Sequence, residues 1–385
     1  MNILVISNFF SLFYTSLASY LNTKGIKTTI HIASFENEGI DTEYSFHLKL
    51  PEYGRYTSSL NKATILKYVK ENNINLILFP QISDVGDLID SIKEVDKTIA
   101  CLFLLHSCPN LVVANKREQF KRLKLRNISS VKLLFAWGCP RLYLLILKKL
   151  WRRWAIRQYN SFDKIIVLSP SYVEEYRQII GNIDFYSKIL AIPNPRIEYK
   201  SQISIYKKKK QIVYVGRLGE EKAVYRLLQI WKRIYKLLPE WNLVLVGDGE
   251  TRLENESFVK VQALERVEFL GIQKSIPVID ESAILCITSN IEGLPTVFME
   301  AMSLGVIPIG FNSFSAIYDM IDNNVSGIII PAFDEELYAN ALIQLALNEN
   351  LRYHMAEMAQ QKVNQYDIEN IGQKWLCLFK ELNLL

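Results

Sequence analysis

The chain has 385 residues, 49% of them hydrophobic and 22% charged. That composition excludes a disordered or low-complexity protein and, at this length, points to two domains rather than one. The net charge of +5 conceals an asymmetry: residues 1–200 carry 27 Lys and Arg against 17 Asp and Glu, while residues 201–385 carry 18 against 23. Five cysteines, at 101, 108, 139, 286 and 377, form no C-x-x-C pair. They read as buried, inert thiols of a reducing compartment. Only four histidines occur, none at ligand spacing from a cysteine, so no metal site is expected.

The opening MNILVISNFF has no basic leader and no small-residue cleavage site, and it reads as a buried first strand of a cytoplasmic protein. The longest apolar run, residues 133–151, is interrupted by Gly138, Pro140 and Arg141, too early for a membrane-spanning helix. Strands are predicted at 2–7, 27–33, 74–80, 98–106 and 164–169, each a short β-branched or leucine-rich run. Helical patterns fall between them, such as SLASYLNTKG ending at Gly25 and ATILKYVKENN. This alternation implies a doubly wound α/β domain over 1–195.

Within that domain, thirteen basic residues meet one acid, Glu118, between Lys116 and Arg157. Lys148, Lys149, Arg152 and Arg153 surround Trp151 and Trp154, as in a helix that lies on an anionic membrane surface. A core-packing helix with a solvated basic face is the plainer alternative. Nucleic acid is not expected as a partner, since no RNA- or DNA-binding module is present.

AIPNPRIEYK at 191–200, with two prolines and no period, is a linker. A second alternating series follows, with strands at 211–218, 242–250, 267–271, 283–289, 306–312 and 326–332, giving a second Rossmann-like domain over 196–365. Two such domains are expected to form a cleft at the carboxyl ends of their strands. Ile371, Trp375, Leu378, Phe379 and Leu382 stand at helical spacing, so 366–385 reads as a closing helix that packs back on the N-terminal domain.

The chemistry concentrates in two segments. NIEGLPTVFMEAMSLG at 290–305 places Pro295 before an amphipathic run, in what should be a helix's first turn. The amides of Thr296 and Val297 would then face an anion. Glu292 and Glu300 flank that nest, and carboxylates of this kind accept paired hydrogen bonds from vicinal hydroxyls, as on a hexose and a ribose. YVGRLGEEKAVYRLL ends a strand at Gly216 and then sets Arg217 and Lys222, two cations suited to charge developing on a departing diphosphate. Taken singly, Glu292 could be a cap, Glu300 a solvated helix residue and either cation a surface ion pair.

The sequence of blocks GRL-x-x-EK, V-L-V-G-D-G-E, F-L-G and S-x-x-EGLP-x-x-x-x-EAM-x-x-G over about 210–345 resembles the C-terminal half of family 4 retaining glycosyltransferases of the GT-B fold, the kind that build bacterial surface polysaccharides. The Glu292-to-Glu300 spacing is the most specific part of the match. The resemblance implies that Glu292 holds the donor sugar and Glu300 the ribose. It further implies that Arg217, Lys222 and amides from Gly293, Leu294, Thr296 and Val297 hold the diphosphate. Gly216, Gly247, Asp248, Gly249, Glu250 and the stretch from Leu270 to Gln273 would line the rest of the donor site, and His106 would sit near the reacting sugar and acceptor. Two departures stand out: Asn8-Phe9-Phe10-Ser11 replaces a Gly-Gly pair after the first strand, and Ala223 replaces a Gly after Lys222, which is tolerable with a negative φ.

The implied reaction moves a hexose or N-acetylhexosamine from a nucleoside diphosphate sugar, UDP-linked by expectation, to a lipid-linked saccharide at the inner face of the membrane. No cofactor is expected. No Asp-x-Asp triple occurs to hold a donor through a divalent ion, so cations and helix amides would replace one. Alternatives are a sugar-nucleotide epimerase or hydrolase of the same fold, or a non-catalytic sugar-nucleotide-binding subunit.

Overall fold

A computed structural model describes residues 1–7, 12–35, 45–82, 84–110, 140–184 and 187–385. These fall into two compact units, one of residues 1–110, 140–195 and 368–385, the other of Arg196–Asp367.

The first unit carries β1 (Asn2–Ile6), α1 (Leu12–Thr23), β2 (Thr29–Ser34), β3 (Ser45–Lys49), α2 (Ser59–Glu71), β4 (Leu76–Pro80), α3 (Gly86–Val95), β5 (Ala100–Leu105), α4 (Pro140–Ser161), β6 (Lys164–Val167), α5 (Pro170–Ile180) and β7 (Ile189–Ala191). All seven strands are parallel, in the order β3-β2-β1-β4-β5-β6-β7. The central strands are buried throughout, as in β5 (ACLFLL), because helices cover both faces. The edge strands β3 and β7 are absent from the sequence expectations. The first alternates polar residues with an exposed Phe46, and the second is three residues long. Edge strands of this kind lack the continuous apolar run that marks a central one.

The second unit holds β8 (Lys209–Val215), α6 (Val224–Ile234), β9 (Asn242–Val246), α7 (Arg252–Val261), β10 (Val267–Gly271), α8 (Ser275–Glu281), β11 (Ser282–Ile287), α9 (Thr296–Ser303), β12 (Ile307–Phe311), α10 (Ile317–Met320), β13 (Ile328–Ile330), α11 (Glu335–Leu347) and α12 (Glu349–Lys362). Its sheet is again wholly parallel, ordered β10-β9-β8-β11-β12-β13. The chain runs outward from β8 through β9 to β10, then returns to pair β11 with β8 on the opposite side. The strand order therefore reverses between β8 and β11, where open α/β sheets bind ligands at the carboxyl ends of their strands.

The last helix, α13 (Ile368–Glu381), belongs to the first unit and packs on α1. Ile371, Trp375, Leu378 and Phe379 are all buried there, with the Trp375 ring 5.8 Å from that of Phe13. Gly372 admits this approach, since a Cβ at that position would lie 2.2 Å from the Tyr20 ring.

Candidate nucleotide-sugar site

The loops that follow β8, β9 and β10 converge, and three glycines make that possible. Gly216, Gly247 and Gly249 have φ of +152°, +132° and +156°. A Cβ on Gly247 would lie 2.0 Å from the carbonyl oxygen of Gly216, and one on Gly249 would lie 2.6 Å from that of Leu218. Hydrogen bonds lock the stack: Gly216 N–H to the Val246 carbonyl at 3.0 Å, Gly247 N–H to that of Gly271 at 2.8 Å, and Leu218 N–H to that of Asp248 at 2.8 Å. Asp248 accepts its neighbour Gly249 N–H at 2.7 Å and pairs with Arg252, and these bonds hold its carboxyl below the usual range. Leu270 is half-buried on β10, followed by an exposed Ile272.

Across the switch point, Lys222 after β8 meets Glu292 after β11. The lysine Nζ donates to both carboxylate oxygens, at 2.8 and 2.9 Å, and the Ser289 hydroxyl adds a third bond at 2.6 Å. The Glu292 side chain is 9% exposed and that of Lys222 27%. Arg217 stands apart from this pair. It is largely exposed and bonded to Glu221 and, at 3.1 Å, to Glu250. The bond to Glu221 comes first among the influences that raise its already high pKa.

Residues that the sequence did not single out hold the two loops in register. Asn290 donates its backbone N–H to the Glu221 carbonyl at 2.7 Å and its side-chain amide to that of Glu220 at 3.1 Å, and it accepts from the buried Arg226. The Arg226 guanidinium lies 4.2 Å from the centre of the Phe333 ring. Ser289 opens the S-x-x-EGLP motif, whereas Asn290 fills one of its variable positions and Arg226 lies outside it, so neither of these two gives a motif signal. Only the fold shows what they touch.

Pro295 occupies the cap position with ψ of 103°, one residue earlier than the first helical turn expected from sequence, and α9 begins at Thr296. Thr296 and Val297 are the helix's first two residues, whose amides have no intrahelical acceptor. Leu294 is buried and Gly293 half-buried in the approach to the helix. Glu300 lies one turn in. Burial raises its pKa, while a hydrogen bond with Thr296 opposes the rise. Tyr199 lies near enough for its own pKa to be raised, by burial first and then by the Glu300 charge.

Ala223 corrects an expectation. Its φ is +50°, not negative, because the Gly219–Ala223 turn closes by a bond from Ala223 N–H to the Gly219 carbonyl before α6 starts. A left-handed alanine costs about 1 kcal/mol. The position is buried, and Thr288 bonds its carbonyl at 3.2 Å.

In the first unit, His106 follows β5 at the carboxyl edge of the sheet, and burial pushes its imidazole down to about 4. The two tryptophans of α4 are half-buried and pack on each other. Trp151 and Trp154 stack at 4.1 Å, Trp154 meets Phe103 edge-on at 5.9 Å, and the Trp151 indole donates to the Pro109 carbonyl at 2.5 Å. Trp154 thus turns toward the sheet, while Trp151 is tied to the segment after β5. The outward apolar residues are Leu142, Leu145, Ile146 and Leu150, at 48%, 62%, 43% and 53% exposure, beside exposed Lys148, Lys149, Arg152 and Arg153. Asn8 to Ser11, and the part of the basic stretch between residues 116 and 139, lie outside the described residues. Among the described residues, no helix is long and apolar enough to cross a membrane.

Residues 195–362 match the family model of glycosyl transferases group 1. The chain is 29% identical over 236 residues to the GalNAc-alpha-(1->4)-GalNAc-alpha-(1->3)-diNAcBac-PP-undecaprenol alpha-1,4-N-acetyl-D-galactosaminyltransferase of Campylobacter jejuni, a match covering 61% of this chain and 64% of that protein. It is 33% identical over 171 residues to the amylovoran biosynthesis glycosyltransferase AmsD of Erwinia amylovora, covering 44% and 48%. Both matches thus span less than two thirds of the relative's length. The crystal structure of Anabaena HepE in complex with UDP and glucose superposes with a TM-score of 0.72 at 16% identity, over 99% of this chain and all of that one. The chain therefore has the GT-B fold, and its residues 195–362, within which its motifs lie, are similar to the group 1 glycosyl transferases.

Proposed function

We propose that this protein transfers a hexose or N-acetylhexosamine from a UDP-sugar to a lipid-linked saccharide during surface polysaccharide synthesis. The observation that carries this reading is the Lys222–Glu292 contact, which joins a cationic and an acidic segment 70 residues apart at the sheet's switch point. Bound donor would exchange that pair for its own groups: the ammonium turns to the diphosphate and the carboxylate to hexose hydroxyls. The amides of Thr296 and Val297 add positive potential at the start of α9, and Glu300 receives the ribose. Arg217, itself exposed, would leave the half-buried Glu221 and the exposed Glu250 for the diphosphate.

In this mechanism the acceptor hydroxyl attacks the anomeric carbon on the face from which the diphosphate departs. The bond from that carbon to the β-phosphate oxygen breaks, the bond to the acceptor oxygen forms, and the departing phosphate oxygen takes the acceptor's proton. Configuration is retained and no protein nucleophile is needed. His106, kept neutral by burial, is suited to accept a hydrogen bond rather than to supply a charge. Arg217, Lys222 and the helix amides do the work of a divalent ion, so transfer should persist in EDTA.

The undecaprenol-linked substrate in the name of the Campylobacter relative supports a lipid-linked acceptor, and the UDP complex of HepE supports a UDP donor. The leucine and lysine face of α4 supports peripheral contact with an anionic membrane surface. The test is product analysis by mass spectrometry after incubation with UDP-sugars and undecaprenyl diphosphate saccharides. A product heavier by one sugar, with UDP released only when acceptor is present, is expected. UDP release at the same rate without acceptor would contradict transfer.

A further inference from the structure

We propose that the loop between β3 and α2 is a stacking platform for a pyranose ring of the acceptor saccharide, an inference that rests on the transfer reading above. The loop follows β3 and so lies at the carboxyl edge of the first sheet, the same edge that carries His106 after β5. It is unusually well fixed for a surface connection. Asn61, fully buried in the first turn of α2, accepts the Glu52 N–H at 3.0 Å and donates to the carbonyls of Glu52 and Arg55, both at 2.7 Å. Ser58 N–H closes the turn onto the Arg55 carbonyl at 3.2 Å, and Gly54 supplies the left-handed residue, φ +78°.

This rigid loop displays aromatic rings. Phe35, buried just after β2, is the base, with the Tyr56 ring 4.5 Å and the Tyr53 ring 5.4 Å from it. Tyr53 is 74% exposed. An exposed ring contributes little to folding, so a buried amide that freezes its loop stabilises a surface and not a core. A pyranose presents an apolar C–H face and a rim of hydroxyls. A held tyrosine ring matches the face, with little rotamer entropy to lose, and the exposed Arg55 and Glu52 match the rim. One cation beside one anion gives this loop no net charge, which favours a neutral saccharide over an anionic lipid surface.

Saturation-transfer NMR on the full chain, without donor, tests the platform. The probes are N,N′-diacetylchitobiose, an α1,4-linked N-acetylgalactosamine disaccharide, lactose and an α-linked mannobiose, against wild type, Tyr53→Phe and Tyr53→Ala. At least one disaccharide should bind wild type and Tyr53→Phe alike, with Tyr53→Ala raising its Kd about tenfold. UDP should raise the melting temperature of all three proteins equally. Binding of no disaccharide, or equal binding by Tyr53→Ala, overturns the platform while UDP stabilisation leaves the transfer reading standing. Loss of sedimentation with phosphatidylglycerol vesicles in Tyr53→Ala would assign the loop to the membrane and overturn it as well. A wild-type protein that UDP does not stabilise overturns the transfer reading and this proposal together.

Discussion

Removing Lys222 should destabilise the second unit far more than neutralising Glu292, and the two effects should be strongly coupled. Lys222→Ala withdraws two charged hydrogen bonds from a carboxylate that is 9% exposed, leaving the Ser289 hydroxyl among its donors. Stranding a nearly buried charge in this way costs about 3 kcal/mol. Glu292→Gln leaves instead a lysine that is 27% exposed and flexible enough to reach water, at a cost of about 1 kcal/mol. In the double variant nothing charged is stranded, so about 2 kcal/mol is expected rather than the sum, a coupling of about 2 kcal/mol. For a unit of this size each kcal/mol lowers the melting temperature by about 3 °C, so Lys222→Ala should fall by about 9 °C and the double variant by less. Calorimetry of the four proteins without ligand measures this. Equal single effects that add to within about 0.5 kcal/mol would refute the premise that these side chains form one unit.

The depressed His106 pKa makes stability pH-dependent with a definite sign. The unfolded imidazole, near 6.5, takes up a proton that the folded one refuses until about 4, so this contribution is complete above pH 6.5 and is lost as pH falls. Wild type should lose about 2 kcal/mol more between pH 7 and pH 5 than His106→Gln, as read from urea unfolding at both pH values. Gly247→Ala should cost about 3 kcal/mol or more, measured by the same unfolding, because its Cβ would overlap the Gly216 carbonyl. Trp375→Ala, at a site 1% exposed between α13 and α1, should cost about 3–5 kcal/mol in the first unit and leave the unfolding of the second unchanged.

The central strands of both sheets were legible because each is a short, continuous apolar run, and the motifs of the second unit singled out Lys222 and Glu292, which the fold brings into contact. What was not legible depended on neighbours distant in sequence. Asn290 and Arg226 act only through loops that the β8–β11 pairing brings together. The left-handed turn at Ala223 runs against the residue's own preference, since surrounding hydrogen bonds override it. Trp151 and Trp154 follow the interfacial pattern in sequence, but the contact of Trp154 with Phe103 of β5 could not be read without knowing which face of α4 turns inward. Tyr53 and Tyr56 sit in a short loop with no motif, and only the buried Asn61 reveals that the loop is held.

Titration calorimetry of UDP against wild type, Lys222→Ala and Glu300→Ala bears most directly on the assignment of the second unit. A single site in wild type is expected, weakened at least tenfold by either substitution. Failure of wild type to bind UDP or any other nucleoside diphosphate, or equal affinity in all three proteins, would contradict it.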